Sequence, residues 1–508
     1  MDTPPVADHT LPPDVSFDGG DLDCGNGLLL LIRQSIDPLP RGGLLEIRST
    51  ESSVDEDLPA WCRMTGNELV SWTRQGGQRS FLVCKGKLAE RQSATPPVTP
   101  VATRHAIVTP IVPTLLPSPA PAPTIEPLSV LGIGSWPRPR WLLRALHDFL
   151  EGRLNEEEFQ ATADDAVRLA VDAQHRAGVD VITDGEQRRD SYANFVGGRF
   201  DNCQLIPLSD LLPLVDDPEK LRAEFEALDV PADQIRHPAV LGPLGRGRGL
   251  ASHELDFVRP LTAKPIKIAL PGPYLLSRIL WMECLSDRFY DSRESLAEDV
   301  VRVLREELHF LLAAGAALVQ FDEPVLTEVV YTATKSGPSF MCGALSERKN
   351  AQEELALAID LINRVVAGVP RERTAIHICR GNWTPDESVA LTGDYRPLVP
   401  LLQQLEVGTY FLELCTPRAG EIEILRALPE DRRIGVGVVN QKHPEIEPVA
   451  AILARAKEAV RVFGRERVLF NPDCGFATFA DNALASAAVA EGKLAAIVRA
   501  VELLRGEG

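Results

Sequence analysis

Strand-like segments and amphipathic helices alternate along the chain from Ser129 to Arg505. Short, mainly apolar runs such as 179–182, 317–321 and 434–439 are followed by longer stretches with helical periodicity. Alternation of this kind is typical of a parallel sheet whose crossover connections are helices. Maintained over about 375 residues, it predicts an α/β fold, namely a (β/α)8 barrel with insertions, of which residues 201–262 are one.

A second unit precedes this region. Residues 16–90 read as strand, helix, strand, helix and strand, with an apolar helix near 28–34, a strand at 44–49 and a closing strand at 80–85. This order predicts a small α+β sandwich. The predicted organisation is a disordered tail (1–15), the α+β unit (16–90), a proline-rich linker (91–128) and the barrel (129–508).

The linker lacks helical or strand periodicity and is rich in proline, alanine and threonine. We expect a semi-extended segment, which would serve either as a passive tether or as an arm that lets one unit visit the other.

Composition excludes several classes of protein. The chain has 508 residues and a net charge of −19, which disfavours binding to nucleic acid or an anionic membrane. No apolar run approaches the roughly 18 residues of a membrane span, and the amino terminus lacks the features of a signal peptide. Nine cysteines scattered over a long chain do not suggest a disulfide framework, so we expect a cytoplasmic enzyme with free thiols.

His377 and Cys379 lie two residues apart at the end of a strand-like segment, so their side chains should share a face. Glu413 and Cys474 each end another strand-like segment, and the strand ends of a barrel gather its functional groups. Imidazole, thiolate and carboxylate are zinc ligands, and zinc lowers the pKa of a bound substrate thiol. The sequence therefore predicts a Zn2+ site at these four residues, with Cys415, two residues beyond Glu413, as the rival ligand.

The barrel resembles the catalytic domain of cobalamin-independent methionine synthase (MetE-like), within the wider zinc-thiol methyltransferase superfamily. The segments that carry the resemblance are Ile133–Pro137, Thr183–Asp190, Leu270–Tyr274, Gln320–Pro324, His377–Cys379, Gly435–Val439 and Asn471–Gly475.

The resemblance implies roles for residues at the matching positions. His377, Cys379, Glu413 and Cys474 would bind zinc, which activates the thiol of homocysteine. Ser135 would lie by the carboxylate of the amino acid, while Glu186 and Asp322 would hold its ammonium group.

The sequence departs from that family in two places. Folate-using members carry a second, duplicated barrel at the amino end, and this chain has the small α+β unit instead. Where the family has a histidine that assists proton transfer, this chain has Lys442, with His443 one place away. The resemblance is therefore to short members, for which a corrinoid protein or methylcobalamin is the expected methyl donor.

The small unit resembles the TusA-like sulfur carriers. The match includes Asp18–Gly27, the first helix, Gly42–Ile47, Asp57–Cys62 and Phe81–Val83. In that family a cysteine in a Cys-Pro-x-Pro motif carries a persulfide. Cys24 matches the cysteine, but glycines replace both prolines, which leaves two alternatives: a working carrier that takes sulfur from a persulfide donor protein, or a docking domain.

These features lead to one principal hypothesis, transfer of a methyl or other alkyl group to a zinc-activated thiol, with homocysteine as the default acceptor. The alternative is a sulfur transfer in which a Cys24 persulfide delivers sulfur to the zinc site to build a thiol on an amino acid-like acceptor. A zinc-dependent thiol sensor is a third class, but it would not need the ammonium-binding acids.

Overall fold

The computed structural model describes residues 9–22, 28–91, 107–207, 236–282, 286–331, 350–381, 390–480 and 483–507. The α+β unit contains β1 (Val15–Asp18), α1 (Leu29–Ile36), β2 (Leu44–Ser49), α2 (Val54–Met64), β3 (Glu68–Gln75) and β4 (Gln78–Cys84). Its sheet has the order β1-β2-β4-β3, in which β1 pairs parallel with β2 and the other pairs are antiparallel. The predicted element order is confirmed, with β3 as an additional strand.

Both helices of this unit pack on one face of its sheet. Alternate residues of β2 point to opposite faces, so Leu45 and Ile47 join the core that the helices cover, while Glu46 lies on the other face. Burial of Trp61 and Phe81 extends this core. The unit therefore has a hydrophobic core of its own.

Two segments outside the predicted bounds of the unit make ordered contacts. His9, in the predicted tail, lies 2.7 Å from Ser71 Oγ and 2.9 Å from Ser80 Oγ through its two ring nitrogens. In the predicted linker, Ala120 N donates to Leu312 O (3.0 Å) and its carbonyl accepts from Arg373 (2.6 Å). The second half of the linker thus runs along the parallel-strand region.

The parallel-strand region contains a six-stranded parallel sheet of order β12-β11-β10-β9-β8-β7. Its strands are β7 (Lys267–Pro271), β8 (Leu318–Asp322), β9 (Thr374–Ile378), β10 (Thr409–Leu412), β11 (Arg433–Val439) and β12 (Val468–Pro472). Single parallel bridges join Val130 to Phe470, Leu131 to Val181, and Ile182 to Ile266. Two short extended segments therefore connect the β12 edge of the sheet to its β7 edge.

Helices cover the outside of these strands. They are α3 (Arg140–Leu150), α4 (Glu156–Ala177), α5 (Ser252–Val258), α6 (Pro273–Ile279), α7 (Arg293–Ala313), α8 (Val325–Tyr331), α9 (Ala351–Val366), α10 (Val399–Gln404), α11 (Val449–Phe463) and α12 (Ala487–Gly506). An antiparallel hairpin of β5 (Asp201–Pro207) and β6 (Arg236–Gly245) occupies the predicted insertion. Strand–helix alternation, and with it the predicted α/β fold, is confirmed.

Sequence explains the bounds of the long helices. Asn155 caps α4 by accepting from Glu158 N, and Gly178 ends the helix in the left-handed conformation, with φ +84°. Ser292 and Ser295 form a reciprocal capping box at the start of α7. Within the described residues, no helix has the length and apolar character needed to cross a membrane.

Candidate metal centre

The ends of β9 and β12 bring three metal-binding side chains together. His377 is in β9, Cys379 follows that strand, and Cys474 follows β12. One ligand atom from each lies within 4.8 Å of the other two, and all three residues are buried. β9 and β12 are separated by two strands in the sheet, so the cluster spans residues that lie far apart in sequence but at the same ends of parallel strands.

A glycine next to the cluster allows close packing. A Cβ at Gly475 would lie 2.2 Å from Ser135 Oγ, so any side chain there would displace the Ser135 hydroxyl. Ser135 Oγ in turn accepts a hydrogen bond from Ala477 N (3.3 Å). The turn after β12 is therefore fixed against the segment that carries Ser135.

The orientation of His377 leaves one ring nitrogen for a metal. Residues Asp322 and His377 are register partners on β8 and β9, and His377 Nδ1 lies 3.0 Å from Asp322 Oδ1. Because a carboxylate only accepts, the proton belongs on Nδ1. His377 Nε2 is buried and has no hydrogen-bond partner among the described residues. Histidines that bind metals commonly have this arrangement, in which one ring nitrogen donates to a carboxylate and the other binds the metal.

A chain of hydrogen bonds behind Asp322 holds it in place. Lys267 Nζ donates to Gln320 Oε1 and to Ile133 O (both 2.6 Å), and Gln320 Nε2 donates to Asp322 Oδ1 (2.7 Å). Lys267 is fully buried, which lowers the pKa of its ammonium group to about 7. The sequence analysis missed both residues, although a lysine within an apolar strand and a glutamine two places before Asp322 are recognisable signals.

The two thiols of the cluster interact directly. A hydrogen bond from the Cys474 thiol is the largest cause that lowers the pKa of Cys379, to about 7, and the charge of His377 acts in the same direction. The same hydrogen bond and burial raise the pKa of Cys474. Two sulfur atoms and one imidazole nitrogen, all buried, fit the ligand preferences of zinc.

Glu413 is outside the group of three. Its Oε2 accepts from Arg380 N (3.0 Å) and its Oε1 accepts from Arg418 Nη2 (2.5 Å). Cys415, the rival ligand, is also outside the group; its N–H donates to Asp473 Oδ1 (2.9 Å), and burial raises the pKa of its thiol. Arg418 and Asp473 are therefore further residues around the centre that the sequence analysis did not identify.

Glu186 lies buried near Asp322. Burial is the largest cause that raises the pKa of Glu186, to about 7, and the charge of Asp322 also raises it, whereas Arg189 lowers it. Glu186 Oε2 has no hydrogen-bond partner among the described residues, and the backbone of Glu186 has φ +55°, in the left-handed region. Two carboxylates thus share a buried site and leave acceptor capacity for a cation.

Lys442 and His443 follow β11 in different environments. Lys442 is 1% exposed, whereas His443 is exposed. Burial and Arg418 lower the pKa of Lys442 to about 8, and the charges of Glu413, Cys474 and Cys379 oppose this shift. Lys442 is therefore within electrostatic reach of the cluster. Cys24 lies outside the described residues.

Comparisons with known proteins agree with this geometry. The model of the family described as cobalamin-independent synthase, catalytic domain, matches residues 128–206 and 225–496. A methionine synthase of Sulfolobus acidocaldarius is 27% identical over 354 residues, which cover 69% of this chain and 86% of that protein. A methionine synthase of Thermococcus kodakarensis is 27% identical over 387 residues, which cover 75% and 94% of the two chains.

Solved structures share the fold. A B12-independent methionine synthase from a Shewanella species, in complex with selenomethionine, has a TM-score of 0.57 and 24% identity, covering 75% of this chain and 98% of that one. A structure described as a vitamin-B12 independent methionine synthase from Listeria monocytogenes has a TM-score of 0.52 and 19% identity, covering 75% and 99%. The family match spans more than half of the chain and includes all three clustered residues, so this chain belongs to the cobalamin-independent synthase catalytic-domain family and is a methionine synthase-like methyltransferase.

Proposed function

We propose that the chain transfers a methyl group to the thiol of homocysteine at a zinc centre formed by His377, Cys379 and Cys474. The parallel-strand region that holds this centre is, in this proposal, a (β/α)8 barrel. The observation that carries the proposal is the convergence of two thiols on a histidine whose Nε2 is buried without a partner among the described residues. When bound, zinc supplies Lewis acidity that keeps an incoming thiol deprotonated at neutral pH.

The acidic residues suit an amino acid substrate. Glu186 and Asp322 would accept hydrogen bonds from the substrate ammonium group, and the neighbouring Ser135 would lie by its carboxylate. Glu186 has a buried oxygen with no partner among the described residues, which supports this assignment because a buried carboxylate gains most from an ionic partner. Homocysteine carries both groups, and its sulfur would then extend towards the cluster.

The methyl transfer itself is a substitution at carbon. The substrate sulfur forms the new S–CH3 bond as the bond between the methyl group and its donor breaks, and the donor leaves with that electron pair. Lys442 places a buried ammonium group near the cluster, where it would stabilise negative charge on sulfur before the transfer. We propose a corrinoid protein or methylcobalamin as the donor.

Glu413 has a less direct role in this proposal. Its side chain is paired with Arg418, so it would become a fourth ligand only by exchanging that partner for the metal. His377, Cys379 and Cys474 would hold the metal, and Glu413 would be an exchangeable oxygen ligand.

The sulfur-carrier hypothesis concerns the α+β unit. It is supported by the strand–helix–strand–helix order of the unit. In this alternative, a reducing thiol attacks the Cys24 sulfur of a Cys24 persulfide, forms a disulfide with Cys24 and releases the outer sulfur as sulfide, which the metal centre would receive.

A single pair of proteins separates the two functions. We expect the zinc-loaded full chain and its Cys24→Ser variant to form methionine from homocysteine and methylcobalamin at equal rates, because methyl transfer does not use Cys24. Intact mass after incubation with a persulfide donor tests the carrier role in the same samples. No methionine from the wild type, together with a gain of one sulfur atom that Cys24→Ser abolishes, would replace methyl transfer with sulfur transfer.

A further inference from the structure

A cavity of about 660 Å³ lies between the α+β unit and the parallel-strand region. We call it the inter-unit cavity; its walls are the end of α1 and the loop 64–67 on one side, and α3 with residues 188–190 on the other. The two units also bond directly at its edge, where Gln204 Nε2 donates to Asp37 Oδ2 (3.1 Å). Its volume is within the range of about 300–1,000 Å³ that is usual for small-molecule sites.

The lining of the inter-unit cavity is positively charged. It contains eight arginines and lysines but five aspartates and glutamates, although the whole chain carries a net charge of −19. Arg33, Arg41 and Lys85 come from the α+β unit, and the other five basic residues come from the parallel-strand region. Both units therefore contribute to a local positive field.

Two buried arginines contribute to this positive charge. Arg188 donates to Gln160 Oε1 (2.9 Å) and Asp164, and Arg189 forms a two-point pair with Glu254. The side chains of Arg188 and Arg189 are 4% and 2% exposed, yet Nη1 of each has no hydrogen-bond partner among the described residues. Both guanidinium groups also lie over aromatic rings, Arg188 over Phe257 and Arg189 over Phe195, so they add positive charge behind the wall of the cavity.

The positive charge of the lining also affects His253. Its Nδ1 lies 2.8 Å from Arg199 Nη2, so that nitrogen accepts and the ring is neutral. Burial, together with the charges of Arg199, Arg188 and Arg189, lowers the pKa of His253 to about 3. Three arginines thus act together at one wall of the cavity.

Another part of the lining is apolar. Leu146, Phe149, Leu150 and Phe159 face the cavity from α3 and α4, and the rings of Phe149 and Phe159 stack with centroids 4.7 Å apart. The cavity therefore combines a cationic wall with an aromatic one. A ligand that satisfies both must carry anionic groups on an apolar or aromatic body.

We propose that the inter-unit cavity binds a small molecule of this class, whose phosphate or carboxylate groups pair with the exposed guanidinium groups of Arg41 and Arg248 while its apolar portion packs on α3. This site is separate from the metal centre and does not depend on the proposed methyl transfer. The guanidinium group of arginine pairs with phosphate and with carboxylate equally well. The lining therefore predicts that the ligand is anionic, and an experiment must decide which acid group it carries.

The test is a fluorescence titration of the zinc-loaded full chain with 8-anilinonaphthalene-1-sulfonate, which has an aromatic body and one anionic group. Arg41 and Arg248 line the cavity, are about half exposed and each pair with a glutamate. We expect the double variant Arg41→Gln/Arg248→Gln to bind the probe at least tenfold more weakly. The matched control is Arg176→Gln/Arg461→Gln, which removes two exposed, glutamate-paired arginines away from the cavity and should bind as the wild type does.

Competition identifies the acid group. Displacement of the probe by pyrophosphate assigns a phosphate-bearing ligand, and displacement by citrate assigns a carboxylate-bearing one. Equal affinity of the two double variants, or failure of both anions to displace the probe, would overturn the proposal. Thermal unfolding midpoints without the probe verify that both variants are folded.

Discussion

Replacing Cys474 by serine is expected to remove zinc from the protein and to slow methyl transfer severely. Cys474 supplies one of the three clustered ligand atoms, and a serine hydroxyl is a far weaker zinc ligand than a thiolate. Metal catalysis of this kind contributes several kcal/mol to transition-state stabilisation, so we expect a loss of about a thousandfold in rate. Zinc content by elemental mass spectrometry and the rate of methionine formation check the two parts.

Cys415→Ser is the matched control for this result. Cys415 is also a partly buried thiol beyond a strand end, but it is outside the cluster and its N–H bonds to Asp473. We expect this variant to keep its zinc. If Cys474→Ser retains zinc and Cys415→Ser loses it, the ligand assignment is wrong and Cys415 takes the place of Cys474.

Replacing Glu186 by glutamine is expected to weaken methionine binding by about 10- to 100-fold. A hydrogen bond to a charged group contributes about 1.5–3 kcal/mol, and Glu186 has a buried oxygen that has no partner among the described residues. Methionine is the suitable ligand because it has the amino and carboxylate groups of homocysteine without a titrating thiol. Calorimetric titration gives the affinity, and Glu458→Gln, at an exposed glutamate on α11, is the control.

The same residue predicts a pH dependence. The carboxyl pKa of Glu186 is raised to about 7, so the group is mostly protonated at pH 6 and mostly ionised at pH 8. Only the ionised form attracts an ammonium group, so we expect wild-type affinity to rise about tenfold from pH 6 to pH 8. The Glu186→Gln variant should show no such rise. A rise of equal size in the variant would show that another group controls binding.

Periodicity and spacing predicted much of the metal centre. The two-residue spacing of His377 and Cys379 predicts that their side chains share a face, and the structure brings them together with Cys474, although β9 ends one residue before Cys379. This prediction succeeded because successive side chains of a strand point to opposite faces, so residues two apart point the same way. The carboxyl ends of parallel strands lie at the same edge of the sheet, so residues that follow distant strands come close together.

Other features depend on geometry that periodicity does not contain. Glu413 pairs with Arg418 in the loop after β10. No periodic sequence pattern predicts the path of such a loop. The pairing of β11 with β12 has a register shift between Gly437 and Val439, so counting along the strand does not decide which residue after it turns inward. The structure places Lys442 inside and His443 outside, an assignment that the sequence left open.

The sequence patterns also did not predict how the two units contact each other. Gln204 and Asp37 meet across 167 positions, and neither belongs to a motif. The linker composition predicted an extended segment, but its attachment to α7 depends on particular backbone groups such as Ala120 N. Domain order follows from sequence patterns, whereas docking depends on surface complementarity.

The central claim, activation of a substrate thiol at a zinc centre with two cysteine ligands, is tested most directly by X-ray absorption at the zinc edge. The wild-type protein, loaded with zinc, is measured before and after addition of homocysteine. We expect two sulfur ligands without substrate, from Cys379 and Cys474, and three with it. An unchanged sulfur count in a protein saturated with homocysteine would contradict the account.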